Sequence, residues 1–410
     1  MFDRAWWLLG IPLVLAVACS PGGAGGLADS SMLAAAALSR VEAQATEPAP
    51  QPSPTIEYVF PPPAPNQTPG PSVVAPSPLD ERTPPPPIQL APSPAQPAGE
   101  SRLVQEVSPT IASSAEGLLA YVVNRDSNNV TIVDLASNQV QGTIAVGRRP
   151  QEVAAAPDGS RVFVTNQADN SVTVIDVSTN QALATWQGVE GPLGIAVAPN
   201  GSAVYVTSPS RGEVVVFNPA DGSPAGRISV ARGVALIGVS RDGQRAYVTN
   251  PEAGTLAVLD LASRGVAATL PTGAGAEGLA VSPDGRWVYV ANRSANTISV
   301  VDTASNTVAN TIVTPPQPSR VVFSTDGTMA YVSHAEDGRI TVIDTSRQAI
   351  AGTLFLSNPA LGLALSPDGS RLYAAQGAAN AVQAVDAATS FELGTVQVGS
   401  APDALVVLKR

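Results

Sequence analysis

Two ionisable side chains break a pattern that the rest of the chain keeps. Stepping in intervals of 42 residues, Glu152 and Arg320 occupy a position that otherwise holds Gly194, Leu236, Gly278, Gly362 and Ala404. An acid and a base that replace small or apolar residues suit the binding of a polar ligand or partner loop. Arg149, Arg232 and Glu277 fall in neighbouring segments and join them as candidates; the other charges expected on the same face include Arg125, Asp126, Arg148, Asp169, Glu190, Arg211, Glu252, Arg293 and Asp403. His334 is the only histidine, so it is the only side chain whose ordinary pKa lies near neutrality. It stands beside Glu336 and Asp337, and spacing leaves a His–Asp–Ser arrangement open, but no nucleophile-elbow motif accompanies it. With one Cys and one His, no intrachain disulfide and no Cys-rich or multi-His metal centre can form. The chain has no Cys-x-x-Cys-His for covalent haem and no phosphate-cradling Gly loop between strand and helix. The expectation is therefore no catalytic residue, no metal and no cofactor.

The elements that must position these residues are written seven times. An aromatic recurs at Tyr121, Phe163, Tyr205, Tyr247, Tyr289, Tyr331 and Tyr373, always 42 residues apart. That period suits a four-stranded propeller blade. Within each unit, short runs rich in Val, Ile, Thr and Tyr are bounded by Gly, Pro, Asn and Asp, which is the strand signal. Asp158-Gly159, Asn200-Gly201, Asp242-Gly243, Asp284-Gly285, Asp326-Gly327 and Asp368-Gly369 supply tight turns. Asn128, Asn170, Gly212, Gly254, Asn296, Gly338 and Asn380 form a second turn column, expected to be left-handed. A column of Asp134, Asp176, Asn218, Asp260, Asp302, Asp344 and Asp386 obeys the repeat, so turn capping is its expected role.

Ser282-Pro-Asp-Gly285, Tyr289-Val-Ala-Asn292 and Val300-Val-Asp302, like Phe163-Val-Thr-Asn166 with Val174-Ile-Asp176, resemble the YVTN β-propeller repeat family. The likeness runs through about 290 residues. It implies an all-β, seven-bladed propeller. Ser208, His334 and Gln376 replace the Asn that closes the YVTN run elsewhere, which loosens any single role for that position.

The last run, Ala404 to Leu408, aligns with Gly362 to Ser366 as an innermost strand with nothing after it. It is expected to complete the first blade and so remove the sheet edges. A more polar rival for that place is Ile111 to Ser114, within 109–114.

Residues 1–19 read as a lipoprotein-type signal: Arg4, a 13-residue apolar core from Trp6 to Ala18, then Cys19 as the lipidation site. Residues 20–45 are small and polar. Residues 46–100 hold 19 of the 38 prolines and are expected to be a disordered spacer. Residues 101–116 lead into the propeller, 117–410. The net charge of −11 includes no basic stripe, which argues against nucleic acid.

The expectation from these features is an exported, membrane-anchored propeller, monomeric, that binds an envelope or extracellular protein or glycan without catalysis. Two alternatives stand beside it. Some propellers resembling this one hydrolyse cyclic esters, which implies a lactonase-like site at the channel mouth using Glu152, Arg320 and His334. The other alternative is a structural envelope protein, by likeness to surface-layer propeller repeats.

Overall fold

The computed structural model describes residues 117–409. The expected signal with Cys19, the 20–45 and 46–100 segments, the 101–116 lead-in and the rival strand at 109–114 lie outside the described residues.

Seven antiparallel four-stranded sheets form the seven blades. Blades 2 to 7 each use four consecutive strands, with innermost strands Pro150–Ala155, Ile195–Val197, Ile237–Val239, Ala276–Val281, Pro318–Phe323 and Gly362–Leu365. Blade 1 takes its inner strand from the C-terminus. Pro402–Lys409 pairs with Leu118–Asn124, setting Tyr121 opposite Val406 and Val122 opposite Leu405. The closure expected from the sequence is therefore the one adopted.

The core lies between blades, because each twisted sheet buries both faces against its neighbours. The first two blades share Tyr121, Val130 and Ile132 with Val162, Val164 and Ile175, and Ala404 of the closing strand packs among them. The repeated aromatics from Tyr121 to Tyr373 are all buried. Outer strands carry the surface, as in Gln139–Ala145, where only Ile144 is buried.

Polar columns set the turns. Asp134 Oδ1 accepts from the amides of Ala136 and Ser137 at 3.0 and 2.9 Å, and Asp302 repeats this with Ala304 and Ser305. The capping role expected of that column is its role in the fold. Asn128, Asn170, Gly212, Gly254, Asn296 and Asn380 adopt φ between 53° and 67°, as expected. Gly338 does not share that conformation; a Cβ there would run into the Leu356 carbonyl.

The column that ends the second strand of each blade meets two kinds of partner. Every member is buried. Asn124, Asn166 and Asn292 donate to the hydroxyls of Thr131, Thr173 and Ser299 on the next strand at 2.8–2.9 Å. Ser208 and Asn250, whose blades carry Val215 and Ala257 at that partner position, bind instead the carbonyls of Glu190 and Arg232 in the incoming inter-blade loop. Gln376 does both, reaching Gln383 at 2.6 Å and the Asn358 carbonyl at 3.2 Å. Ser208, Asn250, Asn292 and Gln376 thus clasp the chain that enters the blade through its carbonyls, whereas at Asn124 and Asn166 that chain passes closely at Gly399 and Gly147.

Candidate active site at the channel mouth

The end of the ring that carries the inter-blade loops also carries a cluster of six charged side chains. Glu152 and Arg320, 168 residues apart in sequence, form an ion pair across the channel. Arg320 also stands 4.0 Å from Glu277. Glu277 accepts from Arg293 Nη1 at 3.2 Å, and Arg293 Nε donates to Gln317 at 3.1 Å. Asp403 is paired with Arg125 at 3.3 Å. Three carboxylates thus face three guanidiniums. The central residues are the most enclosed, with side-chain exposures of 17% for Arg320, 14% for Glu152 and 13% for Asp403.

Irregular pairing puts them there. The ladder between the inner and second strands shifts register between Pro150 and Val153, between Ala276 and Gly278, and between Pro318 and Val321. The closing strand skips a residue between Ala404 and Pro402, at Asp403. Glu152, Glu277, Arg320 and Asp403 therefore all sit on β-bulges. A bulge leaves an extra residue unpaired and re-aims its side chain, and such bulges gather beside active sites.

Burial sets the electrostatics. It pushes the Glu152 carboxyl above the ordinary glutamate range against the pull of Arg320, and the nearby Asp403 charge adds to the rise. Burial likewise raises Asp403, with Arg320 and Arg125 opposing. Arg320 stays cationic, because the surrounding Glu152, Asp403 and Glu277 outweigh its own desolvation. A carboxylate of raised basicity can take a proton from water, and a fixed guanidinium beside it can stabilise a developing oxyanion.

A polar cavity of about 420 Å³ opens next to the cluster on the loop face, lined by Arg293, Ser294, Asn296, Pro316, Gln317 and Glu336. A larger one, about 550 Å³, lies between blades 2 and 3 at the opposite, Asp-Gly turn end of the inner strands. Its charged groups are already engaged: Asp158 caps its own turn through Ser160, and Arg161 donates to the Pro219 carbonyl at 2.7 Å. The loop-face cavity is the one that shares a side chain, Arg293, with the charged cluster.

Of the candidates named from sequence, Glu152, Arg320 and Glu277 come together. Arg149 and Arg232 are exposed and stay outside the cluster. Arg149 sits at φ 52° with its amide bound to Asn128 Oδ1, and Arg232 contributes its carbonyl to Asn250. Arg125, Arg293 and Asp403 are full members that sequence reasoning counted only as loop charges. The signal for Asp403 and Glu277 was available: the column beside Glu152 and Arg320 reads Gln151, Leu193, Ala235, Glu277, Ser319, Leu361, Asp403.

His334 drops out as a base or ligand at the mouth. It is fully buried, with Nδ1 2.8 Å from the Pro316 carbonyl and Nε2 2.8 Å from the Thr341 hydroxyl, so it is the sixth blade's clasp. Burial pushes its pKa below the ordinary histidine value of 6.5. The unfolded chain then binds a proton that the folded chain refuses, and stability falls as pH drops from about 6.5 through the lower folded value. His334→Asn, which installs the residue usual in this column, is expected to flatten that loss. Urea midpoints measured between pH 7.5 and pH 5 check this; parallel slopes for the two proteins would contradict it.

Among the described residues, no three His, Cys, Asp or Glu side chains are grouped so as to hold a metal ion.

The fold defines a seven-bladed β-propeller, and a model of the lactonase seven-bladed β-propeller family matches residues 239–360. That stretch spans roughly three blades and carries Glu277, Arg293 and Arg320. No curated protein matches the chain. Among solved structures, Kuenenia stuttgartiensis hydrazine synthase is similar at 21% identity over 64% of this chain and 95% of that one, with a TM-score of 0.59. A functionally unknown protein from Desulfotomaculum acetoxidans is similar at 16% identity over 70% and 98%, TM-score 0.65. The dihydro-heme d1 dehydrogenase NirN in complex with DHE is similar at 19% identity over 71% and 75%, TM-score 0.56. At these identities the structures speak for the fold alone.

The family match overturns the expected binding module without catalysis. The model that matches residues 239–360 is that of a family described as lactonase, and those residues supply half of the charged cluster. The expectation from sequence rested on the apolar stretch ending at Cys19, the proline-rich spacer and the lack of a catalytic motif, none of which bears on how the charges at the mouth are grouped.

Proposed function

We propose that this protein is a lactonase-type hydrolase whose active site is the channel mouth. The observation that carries the reading is the enclosed Glu152–Arg320 pair, held on facing bulges of two inner strands. The partial lactonase-family match supports it. YVTN-type repeats fit the same ring.

The arrangement allows an ester hydrolysis in which atoms and charge balance. The lactone carbonyl enters between Glu152 and Arg320. Glu152 removes a proton from water, and the resulting hydroxide attacks the carbonyl carbon. Negative charge moves to the carbonyl oxygen beside the Arg320 guanidinium. The ring carbon–oxygen bond then breaks, Glu152 returns its proton to the leaving alkoxide, and the product is the open hydroxy acid. Asp403, Glu277, Arg125 and Arg293 hold the central pair in register and keep the site near electrical balance. For location, the apolar stretch ending at Cys19 supports export and lipid anchoring.

The test is a panel of five- and six-membered lactones presented to the purified protein, with and without divalent metal, and acid release followed by indicator. Hydrolysis of at least one lactone is expected, rising with pH through the raised carboxyl pKa. Rates equal to the buffer blank across the panel, in both metal conditions, would sink the reading.

A further inference from the structure

The bulges that carry the two central residues are not held by sheet pairing. Each is held by a hydroxyl on the adjacent second strand. The Glu152 amide donates to Thr165 Oγ1 at 3.0 Å, and the Thr165 hydroxyl donates in turn to the Leu193 carbonyl of the next blade at 2.8 Å. The Arg320 amide donates to Ser333 Oγ at 3.1 Å, and Ser333 donates to the Leu361 carbonyl at 2.9 Å. One hydroxyl therefore fixes a bulge and ties it to the neighbouring inner strand.

The same bridge recurs at Thr207, which takes the Gly194 amide at 2.8 Å and gives to the Ala235 carbonyl at 2.6 Å, and at Thr249, which takes the Leu236 amide and gives to the Glu277 carbonyl. The equivalent positions in the other three blades are Val123, Ala291 and Ala375, which have no hydroxyl. Those interfaces close without the bridge, so the ring does not require it everywhere. Both blades whose inner strand carries a member of the central ion pair have it.

We propose that Thr165 and Ser333 are positioning residues for the reaction, their hydroxyls holding Glu152 and Arg320 at the separation that hydrolysis needs. This rests on the hydrolase reading above. Without the Thr165 hydroxyl, the Glu152 amide becomes an unpaired donor, and a buried unpaired donor is costly enough to drive local rearrangement. Whether the bulge slides or regularises, the carboxylate moves relative to the guanidinium four blades away.

Thr207 supplies the internal control. Thr207→Val removes the same two hydrogen bonds, but the amide it releases belongs to Gly194, which presents no side chain to the mouth. Thr165→Val is expected to lower kcat by roughly 10- to 100-fold, the scale of a 1 Å misplacement. Thr165→Ser, which restores the hydroxyl, should recover the activity. Thr207→Val should lower the melting temperature about as much as Thr165→Val and leave kcat unchanged. Equal kcat losses in Thr165→Val and Thr207→Val, or none in Thr165→Val, would overturn the proposal. A wild-type protein inert toward every lactone would count against the hydrolase reading instead. The positioning role would then be read from carboxyl 13C NMR titration of Glu152. A midpoint moved by Thr165→Val and not by Thr207→Val supports it, and coincident midpoints overturn it.

Discussion

Glu152→Gln is expected to lower kcat/KM for lactone hydrolysis by about 10²- to 10⁴-fold, the range for loss of a general base, while the protein stays folded. The amide fills the same space, and Arg320 keeps Glu277 at 4.0 Å and the Asp403 charge nearby. Arg320→Met is expected to act differently. It also removes the oxyanion partner, a loss of about 10²- to 10³-fold, but it strands a buried carboxylate whose remaining neighbours are already paired. Breaking such a pair from one side costs about 3–5 kcal/mol. The pH dependence follows from the direction of the Glu152 shift. Its folded pKa lies above the ordinary glutamate value. The native state therefore holds the proton more tightly, and the stability associated with this group is present at low pH and lost as pH rises through the raised value. Arg320→Met removes the one cation that opposes the rise, so its deficit should be largest near neutrality and shrink in acid. The double variant should be more stable than Arg320→Met alone, because no stranded charge remains. Urea melts of the four proteins at pH 5 and pH 8, beside their kcat/KM values, check all of this. An active Glu152→Gln, or an Arg320→Met deficit that grows in acid, would remove the pair from the mechanism.

How much of this was legible in the sequence depends on how far each feature obeys the repeat. The blades, the Asp-Gly turns, the capping column and the closing strand repeat in register, and local turn chemistry is enough to read them. Glu152 and Arg320 were legible for the opposite reason, as charges in a column of Gly, Leu and Ala. What counting could not show is that the neighbouring column shares their destination. In a regular strand, adjacent residues face opposite sides of the sheet, so Glu277 and Asp403 belong to a different face from Glu152 and Arg320. The bulges break that alternation and bring both columns to one mouth. A bulge is a mismatch between two strands and leaves no mark on either alone. His334 was misread for a related reason. Its position ends a strand and sits beside Glu336 and Asp337, which made it a candidate at the mouth, yet the incoming loop at Pro316 covers it. That cover comes from 18 residues earlier, in the loop that enters the same blade. The same is true of the clasp glycines. Added Cβ atoms at Gly147, Gly273 and Gly399 would strike Asn166, Asn292 and Asn124, so each Asn clasp is matched by a glycine in the loop that crosses it.

Deleting residues 403–410 is expected to abolish the folded ring, because the closing strand belongs to two interfaces at once. Its odd and even residues divide between the cores on either side. Leu405 and Val407 pack with Leu118, Ala120, Tyr373 and Val382 toward blade 7, whereas Ala404, Val406 and Leu408 pack with Leu119, Tyr121, Val162 and Ile175 toward blade 2. Leu405 is buried and Val406, Val407 and Leu408 are partly so. At about 1.5–3 kcal/mol for full burial of such a side chain, the four together contribute several kcal/mol, a large share of the roughly 5–15 kcal/mol that holds a typical domain folded. The loss does not stop at burial. The Leu118–Asn124 strand would become an exposed edge with a row of unpaired amides and carbonyls, which recruits other chains. Truncation should therefore give aggregation or loss of the cooperative melt. Leu405→Ala, which keeps the strand but empties one site, should cost about 2–5 kcal/mol and leave a folded monomer. The deletion also removes Asp403, so the same strand that closes the ring completes the charged mouth. Closure and activity can be separated by Asp403→Asn, which keeps the strand. It is expected to retain the melting behaviour of the wild type and to shift the acid limb of kcat/KM downward, since a negative charge that raises Glu152 is gone. A truncated protein that melts like the wild type would show that the ring closes without its last strand.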